Sequence, residues 1–340
     1  MKHSEEKILL GHGNGGQLMH DLITDLFVKH FGNKILNQQS DAAILPVESQ
    51  EMAFTTDSFV IDPLFFPGGD IGKLAICGTV NDLAVSGADP CYISVSFIIE
   101  EGFLMKDLER IVTSLAKEAK KAKVLIVTGD TKVVNKGKCD KLFINTAGVG
   151  KVRRKNRSVS KARNIKPGDL IIINGTIGDH GMAVMSARES FNFKIPVISD
   201  CASLNMLIRQ VLDHTSKVKF MRDPTRGGVA TVLNELAGKI KSGIEIDESA
   251  LPVSKGVNAM CELLGFDPLH IANEGKVLIV AGLQESQSIL ELMKKNKLGR
   301  QSAIIGRIVS DHPGKVVMKT ITGGKRIIDT LSGDPLPRIC

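Results

Sequence analysis

The sequence has 340 residues, is 43% hydrophobic and 24% charged, and carries a formal net charge of +7. Its length suits two domains of roughly 100–200 residues each, and its composition is ordinary for a soluble globular protein. No apolar run approaches the roughly 20 residues of a membrane span, and the first ten residues do not suit a signal peptide, so we expect a cytoplasmic protein without membrane contact.

A glycine-rich stretch near the N-terminus is the first feature with a chemical interpretation. His12, Gly13, Asn14 and Gly15 lie in the run ILLGHGNGG, whose flexible backbone can turn N–H groups toward an anion. The run matches neither a Walker A loop nor a dinucleotide-binding fingerprint, so by itself it is a weak signal. Apolar residues at helical spacing then predict an amphipathic helix over residues 18–31.

Short strands and one surface helix make up most of the remaining N-terminal half. The predicted elements are strands 40–45, 52–57, 92–99, 123–127 and 141–149 and helix 106–121. Acidic, small or basic residues mark several strand ends, namely Asp41, Asp57, and the run Gly129, Asp130, Thr131 and Lys132.

Residues 71–87 are apolar on most faces, which predicts a buried helix. The middle of this helix carries Asn81 and Asp82. A buried carboxylate is costly unless it is paired or bound to a metal ion. We therefore expect Asp82 to have a charged partner or a bound metal ion.

A basic run, KVRRKNRSVSKARNIK, covers residues 151–166. It suits a solvated connection between domains, and a docking surface for an acidic partner is the alternative. Aromatic residues are scarce, and without stacking platforms we expect no nucleic-acid partner. The second half then reads as an α+β unit with strands 170–174, 276–280, 303–309 and 315–320 and with helices from 179, over 201–213, 228–239 and 285–296.

Four aspartates of the first half form the main candidate site: Asp41, Asp57, Asp82 and Asp130. Carboxylates that converge among small neighbours suit a hard cation such as Mg²⁺, which also keeps phosphates in its shell. Lys132 follows closely and can neutralise a phosphate. Each aspartate taken alone also fits a cap or a turn. Together with the glycine-rich stretch they predict a magnesium–nucleotide site.

The last ten residues, LSGDPLPRIC, place Cys340 at the tip of a proline-containing segment. Its prolines exclude a helix or a central strand. The segment suits either a frayed terminus or a mobile arm that carries one nucleophile. None of the six cysteines is spaced as in a zinc site, and their scatter suits free thiols in a reducing compartment.

These motifs resemble the HypE family of nickel–iron hydrogenase maturation factors. The resemblance covers residues 11–340 and rests on GHGNGG, SDAA, TTD, NDLAVSGADP, GDTKVV, NGTIGDHG, DPTRGG, ANEGK and PRIC. The wider superfamily includes aminoimidazole ribonucleotide synthetase, selenophosphate synthetase and thiamine monophosphate kinase. PRIC at the end of the sequence is the feature that points to the HypE family within it.

The resemblance implies a two-domain α/β (α+β) fold that binds ATP and Mg²⁺ in its N-terminal domain. It implies a homodimer in which the N-terminal sheets form a barrel. It also implies a reaction: a carbamoyltransferase, HypF, carbamoylates the terminal cysteine, ATP-dependent dehydration gives a thiocyanate, and the cyano group passes to iron on a HypC–HypD complex. The implied boundaries are 1–155 for the ATP-binding domain, 156–330 for the second domain and 331–340 for the tail.

Carried over to this sequence, the resemblance assigns roles to individual residues. Cys340 holds the carboxamide, and Lys132 and Glu274 act on it. Both lie beside glycines in polar stretches, so we expect them at the surface with little part in folding. The cofactor-binding set is His12, Gly13, Asn14, Gly15, Asp41, Asp57, Asn81, Asp82, Gly129, Asp130 and Thr131, with the four aspartates as metal ligands.

Two other functions remain compatible with the residues. One is an ATP-dependent kinase or synthetase of the same superfamily that acts on a free small molecule, with an inert tail. The other is a scaffold that docks its tail on a partner without chemistry. Turnover of a free substrate would indicate the first, and failure to hydrolyse ATP with a carbamoylated tail would indicate the second.

Overall fold

Two β-sheets, one in each half of the chain, organise the computed structural model, which describes residues 7–13, 17–38, 51–188 and 196–330. The predicted two-domain α/β organisation is confirmed, while the exact domain boundaries stay a prediction. Several predicted features lie outside the described residues, namely strand 40–45 with Asp41, the loop residues Asn14 and Gly15, and the tail with Cys340.

The N-terminal half forms a four-stranded sheet with its long helices on one face. The strands of this half are β1 Met52–Phe59, β2 Phe65–Phe66, β3 Gly69–Asp70, β4 Ala88–Glu100, β5 Leu125–Val134 and β6 Leu142–Val152. The helices are α1 Gln17–Leu22, a π-helical segment Ile23–Val28, α2 Lys29–Phe31, α3 Ile71–Val85 and α4 Met105–Ala122. The sheet order is β1-β6-β4-β5, with β4 and β5 parallel and the other pairs antiparallel.

The helix α3 is the centre of this half because most of its side chains are buried. It packs on β1 and β6, against α4, and against the C-terminal half. Its first turn is capped by Asp70, whose carboxylate accepts from the backbone N–H groups of Gly72 and Lys73 at 2.8 and 3.0 Å. Such a cap stabilises a helix by about 1 kcal/mol. A fixed start to the helix fixes the directions in which Asn81 and Asp82 point.

The opposite face of the N-terminal sheet is open in the single chain. Side chains alternate along β1, so that every second one faces outward, and Phe54 is 71% exposed. Met52, Ile98 and Leu125 add further exposed apolar area on β1, β4 and β5. Apolar patches of this kind mark interaction surfaces more often than free protein surface.

The C-terminal half forms a seven-stranded sheet in the order β13-β12-β9-β11-β7-β10-β8. Its strands are β7 Leu170–Ile173, β8 Phe220–Arg222, β9 Gly243–Asp247, β10 Leu278–Ala281, β11 Ala303–Val309, β12 Val316–Lys319 and β13 Lys325–Ile328. Its helices are α5 Asp179–Arg188, α6 Asn205–His214, α7 Gly228–Ile240, α8 Lys255–Leu264 and α9 Leu283–Lys294. Only the β9–β12 pair is parallel among the strand pairs of this described sheet.

Two apolar layers sandwich this second sheet. Ile171 and Ile173 on β7 point toward α7 on one side, and Ile172 between them points toward α6 and α9 on the other. The alternation follows from the period of two along a strand. Ala84 and Val85, at the end of α3, join the layer on the α6 side, so the two domains share part of one core.

The basic run 151–166 connects the two sheets, as one of its two interpretations predicted. The guanidinium of Arg153 donates to Asp89 at 2.9 Å and to Asp213 at 2.6 Å, which ties β4 to α6. Lys155 donates to the carbonyl oxygen of Leu212 at 3.0 Å. In the described ranges, no helix combines the length and the apolar character needed to cross a membrane.

One local prediction is wrong, because β5 does not end before Gly129 but runs through Lys132 to Val134. A glycine is required where this strand passes β4, since a Cβ on Gly129 would lie 2.3 Å from the carbonyl oxygen of Val95. Asp130 and Lys132 therefore point from a strand and not from a flexible loop. Their side chains are exposed and alternate with the buried Thr131 and Val133.

Glycine at position 72 lets α3 approach α4 closely, and we predict that Gly72→Ala destabilises the fold. A Cβ at this position would lie 2.4 Å from the backbone carbonyl oxygen of Ile111, and such overpacking costs about 1–3 kcal/mol. The matched control is Gly238→Ala in α7, where a Cβ meets no atom within 4 Å and should stabilise the helix by roughly 0.5–1 kcal/mol. Urea unfolding midpoints that move in the same direction for both variants would contradict the close packing.

Candidate functional site

Two carboxylates meet where α3 lies on β1. Asp57 on β1 accepts a hydrogen bond from Thr79 at 2.9 Å, and Asp82 on α3 accepts one from Thr55 at 3.0 Å. Burial raises the pKa of both carboxyl groups, and the negative charge of Asp57 raises the pKa of Asp82 further. The structure thus brings together two of the four predicted aspartates.

A third carboxylate, Asp223, approaches this pair from the C-terminal domain. Burial raises its pKa to about 7, and the negative charges of Asp82 and Asp57 act in the same direction. Arg222 and Arg226 lie close enough for their positive charges to lower pKa values in this cluster. The contact between the domains therefore holds three mutually repelling acids with two arginines beside them.

Sequence reasoning assigned no role to Asp223 or Arg226. Both lie in the run DPTRGG after β8, which contributed to the resemblance but carried no chemical argument. The available signal was an acid and an arginine in a turn that leads into the buried helix α7. The candidate aspartates were all in the N-terminal half, so this signal from the C-terminal half was missed.

Asp130 does not join the cluster within one chain. It lies on β5, and the sheet order places β1 and β5 at opposite edges. Three inter-strand spacings separate these edges by about 14 Å. Asp130 also points to the open face, whereas Asp57 points toward α3. The expectation that all four aspartates converge in one chain is therefore not met, and within the described ranges no group of three or more histidine, cysteine or acidic side chains has the geometry of a metal site.

A cavity of about 270 Å³ lies beside Asp130. Its walls are aliphatic and aromatic side chains of the N-terminal helical segment and of the sheet, including Phe27, Phe31 and Phe97. Gly129, Asp130 and Thr131 also line it. An apolar pocket with a carboxylate at its edge suits a flat ring system with a polar substituent.

Two other predicted residues lie on the same part of the N-terminal domain. Lys132 is exposed on the open face, two residues after Asp130. His12 lies in a 3₁₀ turn, Leu10–Gly13, and its Nδ1 accepts from the backbone N–H of Leu9 at 3.0 Å. The turn packs beside β5. The described part of the glycine-rich stretch thus lies near Asp130.

Asn81 has a different role from the predicted cofactor contact. It is buried, and its side-chain amide donates to the carbonyl oxygens of Ala202 and Glu274 at 3.1 and 3.3 Å. Its oxygen accepts from the backbone N–H of Leu204 at 2.7 Å. All of its hydrogen-bonding groups are used inside the protein, so we assign it to the domain contact and not to the cofactor.

Glu274 is only 5% exposed, so the prediction of a surface position is wrong. It lies in the loop before β10, against the side of α3 that faces the C-terminal domain. The hydrogen bond with Cys77 and burial raise the pKa of the neighbouring Cys201 thiol, and the negative charge of Glu274 adds to the same effect. Lys132 lies on the opposite, open face of the N-terminal sheet. One chain alone therefore does not bring Lys132 to Glu274.

A buried histidine lies in the same domain contact. The Nδ1 atom of His180 lies 2.8 Å from Ser199 Oγ, and its ring meets Phe66 edge to face. Among the described residues, its Nε2 atom has no hydrogen-bond partner. Complete burial lowers the pKa of His180 to about 4, so the ring is neutral near pH 7.

Two family models match the sequence. Residues 39–152 match the N-terminal domain of AIR synthase related proteins, and residues 166–319 match the C-terminal domain of the same family. Among curated proteins, the carbamoyl dehydratase HypE of Bradyrhizobium diazoefficiens is 49% identical over 97% of this chain and 95% of its own length.

Solved structures give the same relationship. A crystal structure of hydrogenase maturation protein HypE in complex with ATP is 45% identical, covers 98% of this chain and 99% of its own, and superposes with a TM-score of 0.93. A HypE–HypF complex contains a chain that is 48% identical over 91% of this chain and 99% of its own, with a TM-score of 0.80.

The buried His180 gives a pH prediction. Its pKa is about 4 in the folded protein against 6.5 as its ordinary value, so the unfolded chain binds the proton first as the pH falls. The unfolding free energy should therefore drop between pH 6.5 and 4, by roughly 3 kcal/mol in total. His180→Gln should flatten this slope in urea titrations, whereas His214→Gln, at the exposed end of α6, should keep it. Equal slopes in all three proteins would contradict the assignment.

Proposed function

Because the chain belongs to the HypE family of carbamoyl dehydratases within the AIR synthase related proteins, we propose that it acts in nickel–iron hydrogenase maturation. It dehydrates the S-carbamoyl group on Cys340 to a thiocyanate with ATP, and this group supplies the cyanide ligand of the iron. The observation that carries the proposal is the likeness, over nearly the whole of both chains, to an ATP-bound HypE.

The acids at the domain contact carry the kind of donor that a magnesium ion prefers. Asp57, Asp82 and Asp223 offer only hard oxygen donors, and their pKa values are raised by burial and, at Asp82 and Asp223, also by neighbouring negative charges, which a cation would offset. Because the described residues do not by themselves have the geometry of a metal site, these acids would hold Mg²⁺ only together with Asp41 and the phosphates of the nucleotide. The ion supplies neutralisation of phosphate charge when it is bound. Arg222 and Arg226 can add to that neutralisation.

The nucleotide itself is proposed to bind beside β5. The apolar cavity next to Asp130 accepts the adenine ring, because its aromatic walls suit a flat heterocycle. The glycine-rich stretch from His12 to Gly15 covers the phosphates with backbone N–H groups. Gly129 and Thr131 complete the rim of the pocket.

A homodimer completes the site in this proposal. The open face of the N-terminal sheet carries Phe54, Met52, Ile98 and Leu125, which a second copy would cover. Two four-stranded sheets closed into a barrel also pair both free edges. In such a barrel the β5 edge of each copy meets the β1 edge of the other, so the cavity beside β5 of one copy lies next to the strand that carries Asp57 in the other.

The chemistry requires activation of an amide oxygen and removal of two protons. The carboxamide oxygen attacks the γ-phosphorus of ATP and ADP leaves. A base then takes a proton from nitrogen, the oxygen departs with phosphate, and loss of the second proton leaves a C≡N group on sulfur. Glu274 is the proposed base, and its burial excludes the water that would hydrolyse the activated carbon. Lys132 stabilises the charge that develops on the carboxamide and phosphate oxygens.

Two kinds of partner follow from this reaction. A HypF-type carbamoyltransferase must load Cys340, as the complex of a similar HypE with HypF suggests for this chain. The cyano group must then reach iron on a HypC–HypD complex. We propose both partners for this chain.

We predict that Asp82→Asn weakens the binding of ATP in the presence of Mg²⁺ by at least about tenfold, since a bound cation loses a charged ligand. The fold should be kept, because a neutral amide relieves the repulsion with Asp57 that raises the pKa of Asp82. Isothermal titration with and without Mg²⁺ measures the change. Asp213→Asn, in the ion pair with Arg153, is the control and should bind normally. Unchanged affinity in Asp82→Asn would remove this carboxylate from the site.

The proposed modification of Cys340 gives a further prediction. After incubation with the carbamoyltransferase and Mg-ATP, the tail peptide of the wild-type chain should gain a carbamoyl group and then lose one water. Cys340→Ala should show neither change, and Cys139→Ala, a partly exposed cysteine elsewhere in the chain, should behave as the wild type. Mass spectrometry of the digested protein reads both steps. Modification of another cysteine in Cys340→Ala would refute the role of Cys340.

A further inference from the structure

The backbone around Glu274 is held by a buried carboxylate, Asp200. One oxygen of Asp200 accepts from the backbone N–H of Glu274 at 3.2 Å, and the other accepts from that of Gly275 at 3.0 Å. A Cβ on Gly275 would lie 1.9 Å from the carbonyl oxygen of Asp200. The backbone at Gly275 is therefore in direct contact with the backbone at Asp200, and only glycine fits at position 275.

Lys276 keeps this carboxylate charged. Its ammonium lies 2.9 Å from Asp200, and the two side chains are only 8% and 4% exposed. Burial alone would raise the pKa of Asp200, but the charge of Lys276 and the hydrogen bonds outweigh it and hold the pKa below its ordinary value. An ionised carboxylate accepts stronger hydrogen bonds from backbone N–H groups than a neutral one.

The carbonyl group of Glu274 is held by donors from both domains. The carbonyl oxygen of Glu274 accepts from the side chain of Asn81 at 3.3 Å and from the backbone N–H of Ala202 at 3.3 Å. Asn81 directly precedes Asp82 in α3. The backbone of Glu274 thus connects to Asp200 through its N–H and to the helix of the acid cluster through its carbonyl group.

We propose that Asp200, with Lys276, and Asn81 are positioning residues that aim the Glu274 carboxylate at the carbamoylated cysteine. The proposal rests on the proposed role of Glu274 as the base. Because the backbone N–H and carbonyl groups of Glu274 are both hydrogen-bonded, the position of its carboxylate can vary only through the side-chain torsions. A base acts only within hydrogen-bond reach of the proton that it removes, and a displacement of about 1 Å can slow a reaction by about 100-fold.

The first test removes the ion pair without leaving a buried lone charge. The double variant Asp200→Asn with Lys276→Met keeps one acceptor for the N–H of Glu274 but loses the charge-assisted hydrogen bonds of the Asp200 carboxylate. With the S-carbamoylated full chain and saturating Mg-ATP, its single-turnover dehydration rate should fall by about 100-fold. Its affinity for Mg-ATP should be unchanged, because the pair lies outside the acid cluster. A wild-type rate would overturn the proposal.

A matched control separates positioning from stability. Lys219 and Asp169 form a second buried pair in the same domain, with N–O distances of 2.7 and 2.8 Å and exposures of 18% and 2%. Asp169→Asn with Lys219→Met should lower the unfolding midpoint to a similar extent. Its dehydration rate should stay at the wild-type value. If the control loses as much rate as the first double variant, general destabilisation explains both rate losses and the proposal is overturned.

A third measurement distinguishes failure of this proposal from failure of the base assignment. Adding Asp200→Asn and Lys276→Met to Glu274→Gln should cause no further loss of rate, because the pair acts only through Glu274. An additive loss in that background would overturn the positioning role while leaving the base in place. Wild-type dehydration by Glu274→Gln alone would instead refute the base assignment, and the positioning role with it.

Asn81 is tested by a conservative change. Asn81→Asp keeps the acceptor for Leu204 but loses the donor to the carbonyl oxygen of Glu274. The dehydration rate should fall, whereas Asn81→Gln, which retains the amide, should recover part of the rate. Equal rates in both variants and the wild type would overturn the part assigned to Asn81.

Discussion

The arrangement of this chain depends on one buried helix, α3, which carries the adjacent polar residues Asn81 and Asp82 in its C-terminal third. Burying Asn81 and Asp82 is unfavourable unless each finds hydrogen-bond partners. Asn81 finds them in the loops of the C-terminal domain and Asp82 finds Thr55 on β1. Because adjacent helical residues point about 100° apart, the same turn of helix fixes the placement of the second domain and the direction of the carboxylate.

The parts of the site that sequence reasoning located are those in which burial conflicts with polarity. Asp82 was identified because burying a carboxylate in an apolar helix is unfavourable unless it has a partner. The structure places Asp57 beside it. Glu274 was misplaced, because glycine and polar neighbours predict a surface loop, whereas the loop is buried by contacts with Asp200 and Asn81 that lie far away in the sequence. Local composition carries no information about such contacts.

The long elements of the fold were predictable, and the short ones were not. The apolar run of α3 and the amphipathic pattern of α4 are strong local signals. β8 has three residues and β13 has four, too few for a period to show. The end of β5 was also not predictable. This strand continues past Gly129 because its pairing with β4 outweighs the turn preference of a glycine. Tertiary pairing decided these cases.

The two halves of the domain contact are built in opposite ways, and the proposed reaction needs both. Around Asp57, Asp82 and Asp223, burial raises the pKa values of the carboxyl groups, and neighbouring negative charges raise those of Asp82 and Asp223 further, so the proposed cations would stabilise this region. Around Glu274, the backbone N–H and carbonyl groups are satisfied and Asp200 is neutralised by Lys276. In the proposed reaction the first region would be stabilised by its ligands, while the backbone of the second already has its hydrogen-bond partners within the chain. A dehydration that must admit a charged cofactor yet exclude water from its base requires this division.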